Sequence, residues 1–98
     1  MHVSSAVVSS NDLLCEVTIV NEFGLHARSA AKIAQIAQKA RAGVWVIRGE
    51  VRASAASILE VLTLACAKGS RLKLMIEDPA DGPILAALVR LVESGFEE

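Results

Sequence analysis

The chain of 98 residues is long enough for one domain with a modest core of its own. Its composition is 53% hydrophobic but only 3% aromatic, which indicates a packed aliphatic core and argues against disorder and against a surface that stacks nucleobases. The formal net charge of −1, with Lys and Arg scattered along the chain, excludes the basic footprint of a nucleic-acid-binding protein.

The amino-terminal residues 1–11 are rich in serine and weakly patterned, so we predict a flexible leader before a folded domain of residues 12–98. They lack the basic start and long apolar run of a signal peptide, and no segment approaches the ~20 apolar residues that span a bilayer. Cys15 and Cys66 lie far apart, outside any metal-ligand spacing, which favours buried free thiols in a reducing compartment. We therefore expect a cytoplasmic protein without cofactor, metal or membrane insertion.

The first predicted elements are a strand and a helix. In the run CEVTIV, Cys15, Val17 and Ile19 alternate with polar residues, the period of two that is typical of a strand with one wet face. The sequence NEFG ends this pattern, and apolar residues then recur at helical spacing. We predict a first strand over about 13–20 and a first helix over 27–40.

The middle of the chain predicts a hairpin and a second helix. A β-branched run, VWVI, and a short alanine-rich run, VRASA, flank the turn sequence RGE. Ser57 then stands three residues before Glu60, the spacing of a capping box, and a helical pattern continues to a Lys-Gly pair. We predict that the second helix covers about 58–67.

The last third of the chain predicts a strand and a final helix. Leu72, Leu74 and Ile76 alternate with residues of the opposite face, and DPADG follows as a loop. From Pro83 an apolar stripe at helical spacing runs to Gly95. The element order β-α-β-β-α-β-α, with strands wet on one face, predicts an α+β fold in which a four-stranded antiparallel sheet carries three helices on its other face.

His26 lies at the predicted start of the first helix, in the stretch GLHARSAAK. The leading amides of a helix have no intrahelical partner and carry a partial positive charge, so such a place binds anions. A phosphoryl group there could accept bonds from these amides and from Arg28, whose guanidinium fork fits phosphate oxygens, while a neutral imidazole attacks phosphorus. A structural role, in which His26 only caps the helix, is the alternative for so short a motif.

The longer stretch FGLHARSAAKIAQIA, followed by ASILEVLTLACAKGS, resembles the histidine-containing phosphocarrier family, HPr, of the bacterial phosphotransferase system, whose motif reads G-[LIM]-H-[AT]-R-P-A. The resemblance runs from about Leu13 to the end and implies an open-faced β-sandwich with strand order 1-4-2-3. It implies that His26 receives a phosphoryl group on Nδ1 from enzyme I, with phosphoenolpyruvate as donor, and passes it to an EIIA-type acceptor in sugar uptake or its regulation. Arg28 matches the arginine that stabilises the phosphoryl group.

Ser57 stands 31 positions after His26, the separation that the family shows. It matches the serine that a dedicated kinase/phosphorylase modifies in many bacteria with this family. Its simpler role is an N-cap, which stabilises a helix by ~1 kcal/mol. A phosphate there would add about −1.5 to −2 charges beside the surface that docks partners.

The second helix is the candidate docking surface. At 100° per residue, Val61, Leu64 and Ala65 share one arc, and we expect that arc to face the sheet. The opposite arc holds three apolar residues that we expect to be exposed and to dock partners: Ile58, Leu59 and Leu62. In the alternative arrangement the leader covers this face.

Two positions depart from the family pattern. Ser29 stands where the family has proline. Because proline in a first helical turn gives up only an orphan amide, we expect the helix start to stay intact and to gain one free donor, amide or hydroxyl, near the phosphoryl site, with Ala27 and Ser29 both adjacent to the phosphoryl group. A helix that begins at Ser29 instead would take His26 away from the amides. Glu60 replaces the Gly or Lys of several sugar-system carriers, which changes the expected partner preference.

Three functional interpretations follow from the sequence. The first is a monomeric phosphocarrier with transferase-like chemistry, whose partners are enzyme I, an EIIA-type domain and, in some bacteria, a serine kinase/phosphorylase. Within it, the ending LVESGFEE also fits the nitrogen-related branch, whose carriers regulate rather than feed sugar uptake. The other two are a non-catalytic interaction or ligand-binding domain and a regulator phosphorylated only at Ser57.

Overall fold

The computed structural model describes residues 7–8 and 13–98; the predicted leader, residues 1–11, lies outside the described residues except for Val7 and Val8. Five strands lie within the described part: β1 Val7–Val8, β2 Leu14–Thr18, β3 Val44–Arg48, β4 Val51–Ser54 and β5 Arg71–Ile76. The helices there are α1 Ala27–Ala37, α2 Ile58–Leu62 and α3 Gly82–Glu93, with 3₁₀ turns at Pro79–Asp81 and Gly95–Glu97.

The strands form one sheet in the order β1-β2-β5-β3-β4, and every neighbouring pair is antiparallel. Strands β2, β5, β3 and β4 are the predicted first, fourth, second and third strands, so the order 1-4-2-3 is confirmed. The short β1 adds an edge strand through the pairs Val7–Glu16 and Val8–Cys15. The sequence does not predict it, because two residues cannot display a period of two.

The alternation along the strands decides which face of the sheet is covered. The predicted inward residues of β2 and β5 are buried, and the three helices pack against them, as predicted. Cys15 and Cys66 are both free and buried, as predicted, and burial raises the pKa of each thiol. The inward strand residues beneath the helices include Cys15, Val17, Val44, Val46, Ala53, Leu72, Leu74 and Ile76.

The hairpin between β3 and β4 forms as predicted, with Gly49 and Glu50 as its turn. Gly49 has a φ of 60°, a left-handed conformation that glycine adopts without steric cost. Within the hairpin, the Arg52 guanidinium lies 4.1 Å from the centroid of the Trp45 ring, so a cation covers the aromatic surface on the sheet face without helices. No helix among the described residues is long and apolar enough to cross a membrane.

Helix α1 ends at Ala37, three residues before the predicted end at Ala40. The chain turns away from α1 because the buried Asp81 carboxylate binds the backbone of the segment that follows the helix. Asp81, 2% exposed, accepts the backbone N–H groups of Arg41 at 2.9 and 3.0 Å and of Ala42 at 3.1 Å. The DPADG segment, predicted as a loop, contains the 3₁₀ turn that positions this carboxylate.

The prediction that the second helix covers 58–67 is wrong, because α2 stops at Leu62. The next amides bond to carbonyls three residues back, and Ala65 takes a left-handed φ of 52°. The Arg48 guanidinium donates hydrogen bonds to the carbonyl oxygens of Leu64 and Ala65 at 2.8 and 3.0 Å, which fixes the path of the chain as it leaves α2. Ala65 is consequently exposed, contrary to its predicted place in the core.

Candidate functional site

His26 is the N-cap of α1. Its backbone is extended, with φ −131° and ψ −178°, and its carbonyl accepts the first helical bond from the Ala30 N–H at 2.8 Å. The alternative in which the helix begins at Ser29 is therefore wrong. The imidazole stands where the leading amides of α1 emerge, as the sequence predicts.

Ser29 closes the helix start with its side chain. Its Oγ accepts the His26 N–H at 2.9 Å, in the reciprocal arrangement of a capping box. The hydroxyl lies 3.1 Å from two acceptors, the carbonyl oxygens of Gly24 and His26, and Ser29 is fully buried. The expected free hydroxyl donor near the phosphoryl site is thus wrong, because this hydroxyl is committed to the loop; a proline could not make these bonds.

The two ring nitrogens of His26 have different partners. Nδ1 accepts the backbone N–H of Arg28 at 3.2 Å, and Nε2 lies 2.6 Å from Oε2 of Glu98. Because an amide N–H can only donate, Nδ1 carries a lone pair and Nε2 carries the ring proton. The His26 side chain is 30% exposed, and its Nδ1 lies at the start of the helix.

Glu98 reaches the ring from 72 positions further along the chain. Its Oε1 accepts a hydrogen bond from Nδ2 of Asn21 at 3.1 Å, and the same Nδ2 donates to the Gly24 carbonyl at 2.9 Å. The bond with His26, and after it the bond with Asn21, lowers the pKa of the Glu98 carboxyl. Sequence reasoning missed both residues, since no local pattern connects them with His26.

The 3₁₀ turn Gly95–Glu97 holds Glu98 in place. Phe96 has a φ of 61°, unfavourable for a bulky residue, and its ring is fully buried in the core. The Lys32 ammonium on α1 donates to the Phe96 carbonyl. Burial of the aromatic ring thus offsets the strained backbone that turns Glu98 towards the site.

The loop before His26 depends on a glycine. Gly24 has a φ of 62°, and a Cβ there would lie 2.3 Å from the Cys66 carbonyl oxygen. The same oxygen accepts the Leu25 N–H at 2.8 Å, which joins this loop to the segment after α2. Phe23, 75% exposed, packs edge-on against the His26 ring with centroids 6.1 Å apart, a contact that no local sequence pattern indicates.

Ala27 and Arg28 are the first two helical residues and are exposed beside the ring. Among the residues that the structure describes, the Arg28 guanidinium has no ion pair within 4.0 Å. Residues 7–8 and 13–98 contain no cluster of His, Cys, Asp and Glu that could hold a metal ion. The groups that the structure brings together here are the imidazole, the leading amides of α1, the Arg28 guanidinium and the Glu98 carboxylate.

Ser57 is the N-cap of α2, as predicted, and its Oγ accepts the Glu60 N–H at 3.2 Å. The second half of the predicted capping box is wrong. The Glu60 carboxylate accepts the Ser54 N–H at 2.9 Å, because it turns back to the end of β4 rather than to the Ser57 amide. Phosphorylation of Ser57 stays a prediction.

The predicted docking residues differ in exposure. Leu59 is 77% exposed and Ile58 38%, whereas Leu62 is half-buried against the core. Val61 and Leu64 are buried, as the helical arcs predict. The exposed apolar surface on α2 is therefore smaller than predicted, and its docking role stays a prediction.

Fold and site together define a class of protein, a small open-faced antiparallel sandwich that presents an imidazole nitrogen at a helix start. Residues 14–94 match the family model described as "PTS HPr component phosphorylation site". The chain therefore belongs to the HPr family of the phosphotransferase system, as its sequence resemblance indicates.

Relatives of both family branches are similar to this chain. The phosphocarrier protein HPr of Treponema pallidum is 38% identical over 84% of this chain and 93% of its own length. The phosphocarrier protein NPr of Shewanella violacea is 39% identical over 85% of this chain and 91% of its own. The crystal structure of HPr-C-His from Thermoanaerobacter tengcongensis superposes with a TM-score of 0.81 at 35% identity, covering 87% of this chain and 96% of that one.

Proposed function

We propose that this chain carries a phosphoryl group on Nδ1 of His26, receives it from enzyme I with phosphoenolpyruvate as the original donor, and delivers it to an EIIA-type domain. The observation that supports this most directly is the lone pair on Nδ1, which faces the leading amides of α1. The proposal takes the chain to act as a cytoplasmic monomer, with the transferring geometry completed by each partner in turn.

In the proposed step, the Nδ1 lone pair forms a bond to phosphorus, and the bond to the donor breaks with its electron pair left on the donor. The Arg28 N–H, which the lone pair had accepted, becomes free to donate to a phosphoryl oxygen. The guanidinium of Arg28, which forms no ion pair with the described residues, can stabilise the phosphoryl charge from the exposed side. An exposed site with these few donors stabilises the adduct only modestly, which suits onward transfer.

Partner docking is assigned in this proposal to the exposed apolar residues at the start of α2. Leu59 and Ile58 present apolar surface to solvent, and half-buried Leu62 borders them. Exposed apolar patches commonly mark protein interaction sites, and this one begins at Ser57, where an added phosphate would change the local charge.

The test is mass spectrometry after incubation with phosphoenolpyruvate and enzyme I. We expect one acid-labile, base-stable phosphoryl group per chain, absent from His26→Ala and unchanged in the matched control His2→Ala, which removes the other histidine of the sequence. Arg28→Ala should be labelled more slowly, since it loses a charged donor worth about 1.5 to 3 kcal/mol when bonded. A chain that takes no label under conditions that charge another HPr contradicts the proposal.

The Ser57 alternative gives a different pattern of label. A regulator phosphorylated only there would carry an acid-stable phosphate that survives His26→Ala and disappears in Ser57→Ala. That result would replace the carrier proposal with the regulatory one.

A nitrogen-related role is the second candidate, because the Shewanella NPr is as similar to this chain as the Treponema HPr. The measurement that separates the branches is kcat/KM for phosphorylation by enzyme I of the sugar system and by its nitrogen-related counterpart. We assign the chain to the branch whose enzyme I phosphorylates it with the higher kcat/KM.

A further inference from the structure

The second ring nitrogen of His26 has a partner that the phosphocarrier proposal does not use. We propose that Glu98 is a positioning residue for phosphoryl transfer: it holds the ring proton on Nε2, so that Nδ1 presents its lone pair to phosphorus. This inference rests on the proposed function of His26, although the tautomer that it specifies can be measured without any phosphoryl donor.

The geometry around the ring favours one tautomer from both sides. A carboxylate only accepts, and the 2.6 Å separation between Nε2 and Oε2 of Glu98 is that of a short, charge-assisted bond. On the other side, the Arg28 amide only donates to Nδ1. Moving the proton to Nδ1 would set two donors against each other there and a lone pair against the carboxylate at Nε2.

The Glu98 carboxylate is held by Asn21 as well as by the His26 ring, and the turn before it is anchored in the core. Asn21, 6% exposed, donates Nδ2 to Oε1 of Glu98. The preceding turn is anchored by the buried Phe96 ring and by the bond from Lys32 to the Phe96 carbonyl. The Glu98 side chain is 17% exposed, although the residue as a whole is exposed to solvent.

The proposed role also accounts for the charge that transfer creates. When the Nδ1 lone pair forms the bond to phosphorus, the ring becomes positively charged, and the proton on Nε2 stays bonded to Glu98. When the phosphoryl group leaves for the acceptor, the electron pair of the broken bond returns to Nδ1. The ring proton never leaves Nε2, so neither step needs a further acid or base.

The test combines the ring tautomer with the transfer rate. Long-range ¹⁵N–¹H NMR spectra of the unphosphorylated chain identify which nitrogen of His26 is protonated, and we expect the Nε2–H pattern in the natural sequence. Glu98→Ala should raise the fraction protonated at Nδ1 and lower kcat/KM with enzyme I about 3- to 10-fold, the range of one hydrogen bond. Glu98→Gln, which retains an accepting oxygen, should recover part of both effects, and the exposed neighbour variant Glu97→Gln should leave both unchanged.

Two results would overturn the role of Glu98. One is a Glu98→Ala chain with the same tautomer and rate as the natural chain. The other is a rate change with an unchanged tautomer, which would mean that Glu98 acts through its charge alone. If the chain takes no label at all but the tautomer responds as expected, the phosphocarrier proposal fails while the positioning of the ring stands, so the two failures are distinguishable.

Discussion

The starts of α1 and α2 each have an N-cap side chain that accepts a leading amide of the helix, His26 in α1 and Ser57 in α2, but their surroundings differ. His26 has bonds at both ring nitrogens and at its backbone N–H, and its partners are Arg28 and Ser29 of α1 and the distant Glu98. Ser57 makes one capping bond, and α2 ends five residues later with Leu59 exposed.

This difference separates two tasks that a carrier has to perform. The reactive nitrogen needs one orientation, and long-range contacts supply it at α1. Recognition of more than one partner needs accessible apolar surface, and the short α2 leaves such surface uncovered. The Cys66 carbonyl joins the two regions, because it accepts the Leu25 N–H of the loop that leads to His26.

The largest expected effect on stability comes from removing the Phe96 ring, because that ring anchors the turn that carries Glu98 to the start of α1, and α2 has no such anchor among the described residues. Phe96→Ala deletes a fully buried ring, and we expect the free energy of unfolding to fall by about 3 to 5 kcal/mol. Urea denaturation measures this, with Phe23→Ala as the control because the Phe23 ring is 75% exposed and should change stability by less than about 0.5 kcal/mol. Equal losses in the two variants would contradict the anchoring role of Phe96.

Removing the capping hydroxyl of Ser29 or of Ser57 tests whether the start of α1 contributes more to stability than the start of α2. Ser29→Ala removes a buried hydroxyl and leaves the His26 N–H without its acceptor, so we expect a loss of about 2 kcal/mol. Ser57→Ala removes one cap that borders solvent and should cost about 1 kcal/mol. Thermal or urea unfolding of both variants gives the order, and a larger loss at Ser57 would reverse the comparison.

The docking surface is tested by a variant that leaves the fold intact. Leu59→Ala should weaken binding to enzyme I about tenfold, since truncating a contact residue at an interface costs more than 1 kcal/mol, while stability changes by less than about 0.5 kcal/mol. Titration calorimetry measures the affinity. Val51→Ala, which truncates an exposed apolar residue on β4, is the matched control and should bind as the natural chain does; identical affinities for all three would remove α2 from the interface.

The smallest effect concerns the pKa of Glu98. Its bonds with His26 and Asn21 lower that pKa from the usual value of 4.5, so its contribution to stability is present above the unfolded-state pKa and is lost as the pH falls through the folded-state pKa. Carbon-detected NMR titration of the Glu98 carboxyl should show a higher pKa in His26→Ala than in the natural chain. An unchanged pKa would mean that the bond to the ring contributes nothing to the carboxylate.

Much of the fold and the centre of the site could be predicted from the sequence, because they depend on local patterns. The period of two in CEVTIV and RLKLMI predicts the neighbouring strands β2 and β5, and both are confirmed. The stretch GLHARSAAK predicts a helix that begins beside His26, and His26 is its N-cap. Burial of Val61 and exposure of Leu59 follow in the same way from helical spacing.

What only the tertiary structure decided are the features that join distant parts of the chain. Arg48 bonds to the chain where α2 ends, Asp81 bonds to the chain after α1, and Glu98 contacts the outer ring nitrogen of His26. Each is a side chain that bonds to an element far away in sequence, so no residue spacing indicates it. Such bonds form only after the sheet and helices have packed, which is why the sequence alone predicted the nucleophile but not the contacts that orient it.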